Sequence, residues 1–538
     1  MKSLSFMPNG AQALMQTLVN AGVTTCFTNP GTSEIHIVAE LDSVPAMRAI
    51  LTLFEGVATG AADGYARMAD VPSATLLHLG AGLGNGLANL HNARRARVPL
   101  LNIVGDQATY HVQYDPPLHS DIETVARNVS TWVRTSRTAE GLGRDAVEAI
   151  TAAIGPPGQV ATLIVPADVS WQEAGGPAAL PEPVPPPAVS GAIIEAVAHE
   201  LRSGQRTAIL LGGSALHGRG LIAAGRIAAA TGTRLLAERG AARLERGAGL
   251  PHVERLAYWP ELASTQLEHL QHLFLANADS PVTWFAYPGV PGALVPDGCT
   301  VHELSPPSVD VTRTLEDLVD ALDSTHVEPT LQPFSIPPLP DGQLTAAKVC
   351  QAVAAVLPEG AIISDEAITS AAALPASTAG APRHDWLTLT GGAIGQGLPV
   401  AVGAAVACPD RPVIALEADG SAMYTIQSLW TMVREQLDVT VVIFNNRAYG
   451  ILGAEVARLD EPSVGPKARE LLNLGNPDLD FVKLGSGLGV ESRRVDTAEE
   501  LIDALGQATA EPGPYLIEAM IPAVTSGRRP PADPPQGP

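Results

Sequence analysis

Leu416–Gly450, LEADGSAMYTIQSLWTMVREQLDVTVVIFNNRAYG, decides how this chain folds. The apolar run Pro412–Leu416 reads as a buried strand that breaks at Ala418-Asp419-Gly420-Ser421. Ile426, Leu429, Trp430 and Val433 recur at helical spacing, and Val439–Phe444 (VTVVIF) reads as a second buried strand ending at Asn445-Asn446. Strand, helical crossover and strand predict a parallel pair, so Asp419 and Asn446 stand at the same carboxyl edge, where open α/β sheets bind ligands. That placement suits a metal holding a phosphate group. Asp419 supplies an anionic oxygen, Asn446 a neutral amide oxygen and Ala448 a backbone carbonyl, while phosphate oxygens fill the rest of a Mg²⁺ octahedron. Gly420 and Ser421 open the crossover helix, so their free N–H groups face the phosphate.

The same alternation of apolar strands and helical stretches runs through the chain: strands at Thr24–Phe27, Leu76–Leu79, Leu100–Val104, Ala161–Val165, Thr207–Leu211, Ala361–Ile363 and Tyr515–Ile517, with a helix at Ala11–Asn20. It predicts an α/β protein of parallel sheets flanked by helices. Two proline-rich runs interrupt it, GGPAALPEPVPPPAV (Gly175–Val189) and EPTLQPFSIPPLPDG (Glu328–Gly342), because proline continues neither a helix nor a central strand. They divide the chain into domains at 1–176, 190–327 and 343–526, with 527–538 (GRRPPADPPQGP) expected as a disordered tail. A chain of 538 residues is too long for one core, which agrees with three. The formal net charge of −23 argues against nucleic acid or an anionic membrane as partner. No apolar run of about 18 residues and no signal peptide are found, and Cys26, Cys299, Cys350 and Cys408 have no metal spacing, so a cytoplasmic protein with reduced thiols is expected.

Glu55 lies in LTLFEGVATGAADGYAR, behind an apolar run and ahead of small residues suited to close helix packing. A carboxylate there is expected to be partly desolvated and to share a proton; the alternative is a helix N-terminal glutamate facing solvent. The combination of motifs decides between them. Asp419-Gly420-Ser421 with Asn445-Asn446 resembles the diphosphate-binding signature of thiamine diphosphate enzymes, usually GDG at its start, with Ala418 here in place of the first glycine. The Glu55 segment, the turn Asn29-Pro30-Gly31-Thr32, the stretch GAGLGNGLANLHNA (Gly80–Ala93), read as a glycine-rich loop, and TGGAIGQGLPVAVGAA (Thr390–Ala405) resemble the same family in order. The resemblance implies pyrimidine-binding, central and diphosphate-binding domains. It implies that Glu55 hydrogen-bonds the aminopyrimidine ring, whose exocyclic amine then serves as internal base. The Gly392 carbonyl would accept from that amine, and Ile394 would prop the cofactor in its bent shape. Asn29, Pro30, Gly31, Asn85, Thr369, Gly420, Ser421, Tyr449 and Gly450 would complete the cofactor site, and Asp419, Asn446 and Ala448 would hold Mg²⁺. In this family Glu55 and Asp419 come from different subunits, so a homodimer or homotetramer is implied.

The substrate is read from fewer residues. His78, in LLHLGAG, matches an active-site histidine of benzoylformate decarboxylases, and a histidine beside the cofactor suits proton transfer near neutral pH. His111 and His119, in YHVQYDPPLHSDIE, lie in a loop that reaches the active site in relatives; where acetolactate synthases carry Phe-Gln-Glu, this chain has Leu118-His119-Ser120. The segment where benzoylformate decarboxylases place a second histidine reads WFAYPGVPG (Trp284–Gly292). Ile451–Gly475, with Glu455, Arg458, Lys467 and Arg469, is expected to cover the site, its basic residues on a solvated face. Gly212-Gly213-Ser214 with Gly218-Arg219-Gly220 leaves FAD possible but not favoured, since this is not a GxGxxG. Glu55, His78 and His119 are the catalytic candidates. The implied function is decarboxylation of a 2-oxo acid, benzoylformate decarboxylase-like, with possible carboligation to an aldehyde. Alternatives are an acetolactate synthase-like carboligase and a silent cofactor-binding homologue.

Overall fold

A computed structural model describes residues 7–182, 185–459 and 464–523. The expected tail at 527–538 lies outside the described residues. Three sheets carry the chain. The first contains β1 (Thr25–Asn29), β2 (Arg48–Leu51), β3 (Ser73–Leu77), β4 (Leu100–Asp106), β5 (Trp132–Thr135) and β6 (Val160–Pro166), all parallel, in the order β2-β1-β3-β4-β6-β5. The central block supplies β7 (Thr207–Leu211), β8 (Arg234–Ala237), β9 (Arg243–Arg246), β10 (Glu254–Arg255), β11 (His272–Ala276) and β12 (Thr300–Ser305). Five of these form a parallel sheet, β10-β8-β7-β11-β12. The third sheet adds β13 (Ile362–Glu366), β14 (His384–Thr388), β15 (Val413–Ala418), β16 (Val439–Asn445), β17 (Glu491–Val495) and β18 (Tyr515–Met520), in the order β17-β18-β16-β15-β13-β14-β9. All its pairings are parallel except β14 with β9, which the central block lends to its edge. All seven residues of β16 are buried, as a parallel strand covered on both faces requires.

The strand order reverses between β1 and β3 in the first sheet and between β13 and β15 in the third. At such switch points the loops after neighbouring strands part, and ligands bind in the opening. Asn29 ends β1 and Pro30 and Gly31 follow it, His78 follows β3, Thr369 follows β13 and Asp419 follows β15. The two openings are linked by close contact of the Glu55–Ala69 and Gly397–Ala407 helices. A methyl at Gly403 would sit 1.9 Å from the Ala61 carbonyl oxygen, and one at Gly64 would sit 2.2 Å from that of Val400. A fully buried Arg67–Asp63 pair at 2.6 Å, to which Gln396 Nε2 donates at 2.6 Å, locks the junction.

Three local expectations are corrected. Gly80–Ala93 is not a loop but most of a helix, Leu79–Ala96. Its glycines cost helix propensity, yet they admit the neighbouring helix: a methyl at Gly86 would meet Thr59 at 2.9 Å, where Thr59 Oγ1 donates to the Gly86 carbonyl. Leu79 therefore begins this helix rather than ending β3. The crossover after Asp419 is not one continuous helix but a turn at Asp419–Ala422 and a helix at Ser428–Arg434. Between them Thr425 Oγ1 donates to the Gly395 carbonyl, one of the side-chain bonds that compete with helix. No described helix is long and apolar enough to cross a membrane.

Candidate active site

At the β13/β15 opening the chain turns tightly around Asp419. Its Oδ1 accepts from Gly420 N at 2.8 Å and its Oδ2 from Arg447 N at 2.6 Å, while Asn446 Oδ1 accepts from Ala448 N at 2.9 Å. Arg447 reaches this position in the left-handed region, φ 56°. Burial pushes the Asp419 carboxyl up to about 6 against the pull of these backbone N–H groups, and no cationic side chain is among the groups that lower it. A buried carboxylate is ordinarily paired with a cation or coordinates a metal. Asp419, Asn446 and the Ala448 carbonyl are hard oxygens, and among the described residues no three acidic, histidine or cysteine side chains converge on one ion. One carboxylate with two neutral oxygens fits a Mg²⁺ that takes its remaining ligands from phosphate and water. Gly420 lets the Tyr449 ring pack against the turn, since a methyl would lie 2.5 Å from it. Ala418 has φ −75° and ψ 145°, extended backbone that alanine adopts freely, so losing the family's first glycine costs the turn nothing. Ser421 is buried in the turn, Gly450 starts the next helix, and Thr369 is half-buried behind Ile368, which has φ 51°. A β-branched residue in that region marks strain of the kind that collects at functional sites.

Beneath this edge Glu366 and Glu417 are opposed in the β13–β15 register, both buried. Glu366 accepts from Gly395 N at 2.7 Å and from Gly397 N, fixing the turn that carries Gly392 and Ile394. Burial raises the Glu366 carboxyl to about 7 and holds Glu417 well above the ordinary carboxylate range, with Glu366 adding to the effect on Glu417; neither oxygen of Glu417 has a hydrogen-bond partner. Asn89 Nδ2 donates to the carbonyls of Gly395 (3.0 Å) and Gly56 (2.8 Å), connecting this turn to the start of the Glu55 helix.

At the β1/β3 opening Glu55 is the first residue of its helix and is buried, which removes the solvent-facing alternative. Its Oε2 accepts from Asn85 Nδ2 at 3.0 Å, and its Oε1 faces Gly82, where a methyl would be 3.1 Å away. His78 caps the following helix, just before Leu79 at φ 54°. His78 Nδ1 is 2.7 Å from Glu34 Oε2, which also accepts from Gly31 N at 2.9 Å. Two glycines make room for this pair: a methyl at Gly31 would lie 2.2 Å from His78 Nδ1, and one at Gly105 would lie 1.7 Å from Glu34 Oε1. Burial raises the Glu34 carboxyl, with His78 and the Gly31 N–H pulling it back. Asn29 and Pro30 lead from β1 into this turn, half-buried.

Glu34 was missed in the sequence; the available signal was an acidic residue three positions after Gly31, at a short helical turn. His111 and His119 are exposed, His119 bonded to Asp115 at 3.0 Å rather than to Glu55 or His78. Arg458 is not on a solvated face: it pairs with Glu261 at 2.7 Å and stacks on Trp259 and Tyr287, whereas Lys467 and Arg469 are exposed. In the central block a methyl at Gly212 would meet Glu238 Oε1 at 2.8 Å. Burial lifts that carboxyl to about 7.

The chain is similar to known proteins over most of its length. Residues 8–128 match the model for the thiamine pyrophosphate enzyme N-terminal TPP binding domain, and residues 370–519 match the C-terminal TPP binding domain. IlvX of Mycobacterium tuberculosis, named as a candidate acetolactate synthase large subunit, is 57% identical over 518 residues, covering 96% of this chain and 99% of the relative. Benzoylformate decarboxylase of Pseudomonas aeruginosa is 28% identical over 537 residues, covering 94% of this chain and 97% of the relative. The solved structure of a Rhodococcus jostii thiamine diphosphate-dependent 4-hydroxybenzoylformate decarboxylase superposes with a TM-score of 0.83 at 26% identity, covering 96% of this chain and 99% of that one. This chain belongs to the thiamine diphosphate-dependent enzymes.

Proposed function

We propose that the protein decarboxylates a 2-oxo acid without oxidation, using thiamine diphosphate anchored by Mg²⁺. Asp419, Asn446 and the Ala448 carbonyl would hold the metal, and the Ser421 N–H would meet the diphosphate beside Gly420, whose own N–H is held by Asp419 Oδ1. When bound, the cofactor supplies a carbon nucleophile and an electron sink. The chain's own part is proton handling and positioning. Glu55 Oε1, not engaged by Asn85, would hydrogen-bond the aminopyrimidine ring. Gly392 and Ile394 position that ring, on a turn braced by Glu366. His78 Nδ1 is committed to Glu34, which leaves Nε2 to exchange a proton with the reacting carbon. The observation that carries this reading is the Glu34–His78 pair beside Glu55: Gly82 lies between them, where a methyl would be 3.1 Å from Glu55 Oε1 and 3.5 Å from His78 Cβ.

A second reading, carboligation of the acetolactate synthase type, is supported by the name of the M. tuberculosis relative and by the lack of histidine in Trp284–Gly292. Retention of Glu55, Asp419 and Asn446 together argues against a silent homologue. Leu53, Tyr114 and Leu118 near the first opening and Met423 and Tyr424 near the second are exposed apolar groups, which supports assembly of at least two copies across these edges. The test is a panel of 2-oxo acids with thiamine diphosphate and Mg²⁺, with and without aldehydes, scored for CO₂ and product. Free aldehyde from pyruvate supports decarboxylation, acetolactate supports carboligation, and no CO₂ from any member refutes both. Glu55→Gln is expected to bind cofactor and lose most turnover; unchanged turnover would exclude the proton relay.

A further inference from the structure

Val282–Ala293 of the central block crosses the carboxyl edge of the third sheet. Its ends pair with each other, as do Tyr287 and Val290 within it. Trp284 lies against the backbone of Gly392, where a methyl would be only 2.7 Å from the indole Cζ3. The indole is held from behind by Tyr258, with ring centroids 6.1 Å apart. The segment is tied down further along, where Tyr287 Oη donates to Glu455 Oε1 at 2.9 Å and Arg458 stacks on the Tyr287 ring at 4.5 Å. Glu455 belongs to the Gly450–Val456 helix, which begins immediately after the Asp419–Asn446 metal turn. The indole therefore stands over the reacting edge on an anchored support, with 36% of its surface still uncovered.

We propose that Trp284 is the residue that sets donor specificity, forming the wall against which the acyl substituent of the 2-oxo acid packs and admitting small aliphatic donors over aryl ones. This rests on the 2-oxo acid reading above. A rigid aromatic wall with two torsions cannot retract cheaply to admit a phenyl ring, and pocket size alone discriminates about 10- to 200-fold per methylene-sized difference. Nothing in this role requires a proton from Trp284; it acts by shape.

The experiment compares wild type, Trp284→Phe and Trp284→Ala as holoenzymes on pyruvate and benzoylformate, following kcat/KM for each. Wild type is expected to favour pyruvate. Trp284→Ala should shift the ratio toward benzoylformate by about tenfold or more, with Trp284→Phe between. Two readouts are independent of turnover. Cofactor should quench tryptophan emission in wild type, and that component should vanish in Trp284→Phe. Binding of methyl benzoylphosphonate relative to methyl acetylphosphonate should rise in Trp284→Ala. Trp284→Phe keeps an aromatic ring in place and controls for misfolding. An active wild type with unchanged donor and phosphonate ratios in both variants overturns the specificity assignment alone. A wild type that binds neither phosphonate and releases no CO₂ overturns the functional reading, and this proposal with it.

Discussion

Replacing Glu34 with glutamine separates the two things its carboxylate does. Glu34 Oε2 meets His78 Nδ1 at 2.7 Å, while Oε1 is buried against Gly105 with no hydrogen-bond partner. In Glu34→Gln the charge-assisted bond to His78 becomes a neutral one. Hydrogen bonds to charged groups contribute roughly 1.5–3 kcal/mol, and about 1.4 kcal/mol is a tenfold change in rate. A neutral bond contributes about 0.5–1.5 kcal/mol, a difference of about 1–1.5 kcal/mol, so turnover should fall about 5- to 13-fold if His78 moves a proton in the slowest step. Stability should move differently. Burial raises the Glu34 carboxyl above the ordinary glutamate value of 4.5. Its protonated form is thus the one the fold prefers. That contribution is complete below 4.5 and is lost as pH rises through the displaced value. Glutamine does not titrate, so the variant should gain stability relative to wild type between pH 5 and pH 8. The assays are the pH profile of CO₂ release and thermal unfolding at both pH values. Wild-type turnover with an unaltered pH profile would refute the Glu34–His78 reasoning, whatever the stability does.

Glu417→Gln should raise the melting temperature, and more at pH 8 than at pH 5, because the raised carboxyl stabilises only while protonated; an equal shift at both pH values would show that its charge is not the cause. Gly403→Ala places a methyl 1.9 Å from the Ala61 carbonyl oxygen, so urea unfolding should show a loss of at least about 1–3 kcal/mol; wild-type stability would mean that the helix pair separates easily. Arg458→Met removes the Glu261 pair and the stacking on Tyr287, at about 1 kcal/mol for a partly exposed pair, and should speed limited proteolysis C-terminal to the Gly450–Val456 helix; an unchanged digestion pattern would remove the anchoring role. Asp419→Ala should abolish Mg²⁺-dependent protection against thermal unfolding by thiamine diphosphate; protection equal to wild type would exclude Asp419 as the metal ligand.

The strand-turn-helix-strand pattern around Asp419 was legible because each part is local. Val439–Phe444 is a continuous apolar run, and Asp419-Gly420 breaks its strand where the apolar pattern stops. The glycine-rich run from Gly80 was misread for the opposite reason. Its backbone preference argues for a loop, while the decisive contact, Gly86 against Thr59, joins positions 27 apart on another helix. Glu55 was identified from its neighbours and its motif, but its burial and its Asn85 partner depend on how two helices pack.

By itself the sequence determined three runs of parallel α/β structure, the positions of Asp419, Asn446, Glu55 and His78 at strand or helix ends, and through them the cofactor class. The runs and positions need only side-chain periodicity and turn chemistry, which act over a few residues; the cofactor class came from the resemblance of the ordered motifs to thiamine diphosphate enzymes. Tertiary structure alone decided that Glu34 meets His78 across 44 positions, that Glu366 opposes Glu417, and that Trp284 covers Gly392. Each of these depends on strand order, parallel register or the seating of one block on another. Those quantities come from burying whole faces of sheets and helices, and no short window of sequence contains them.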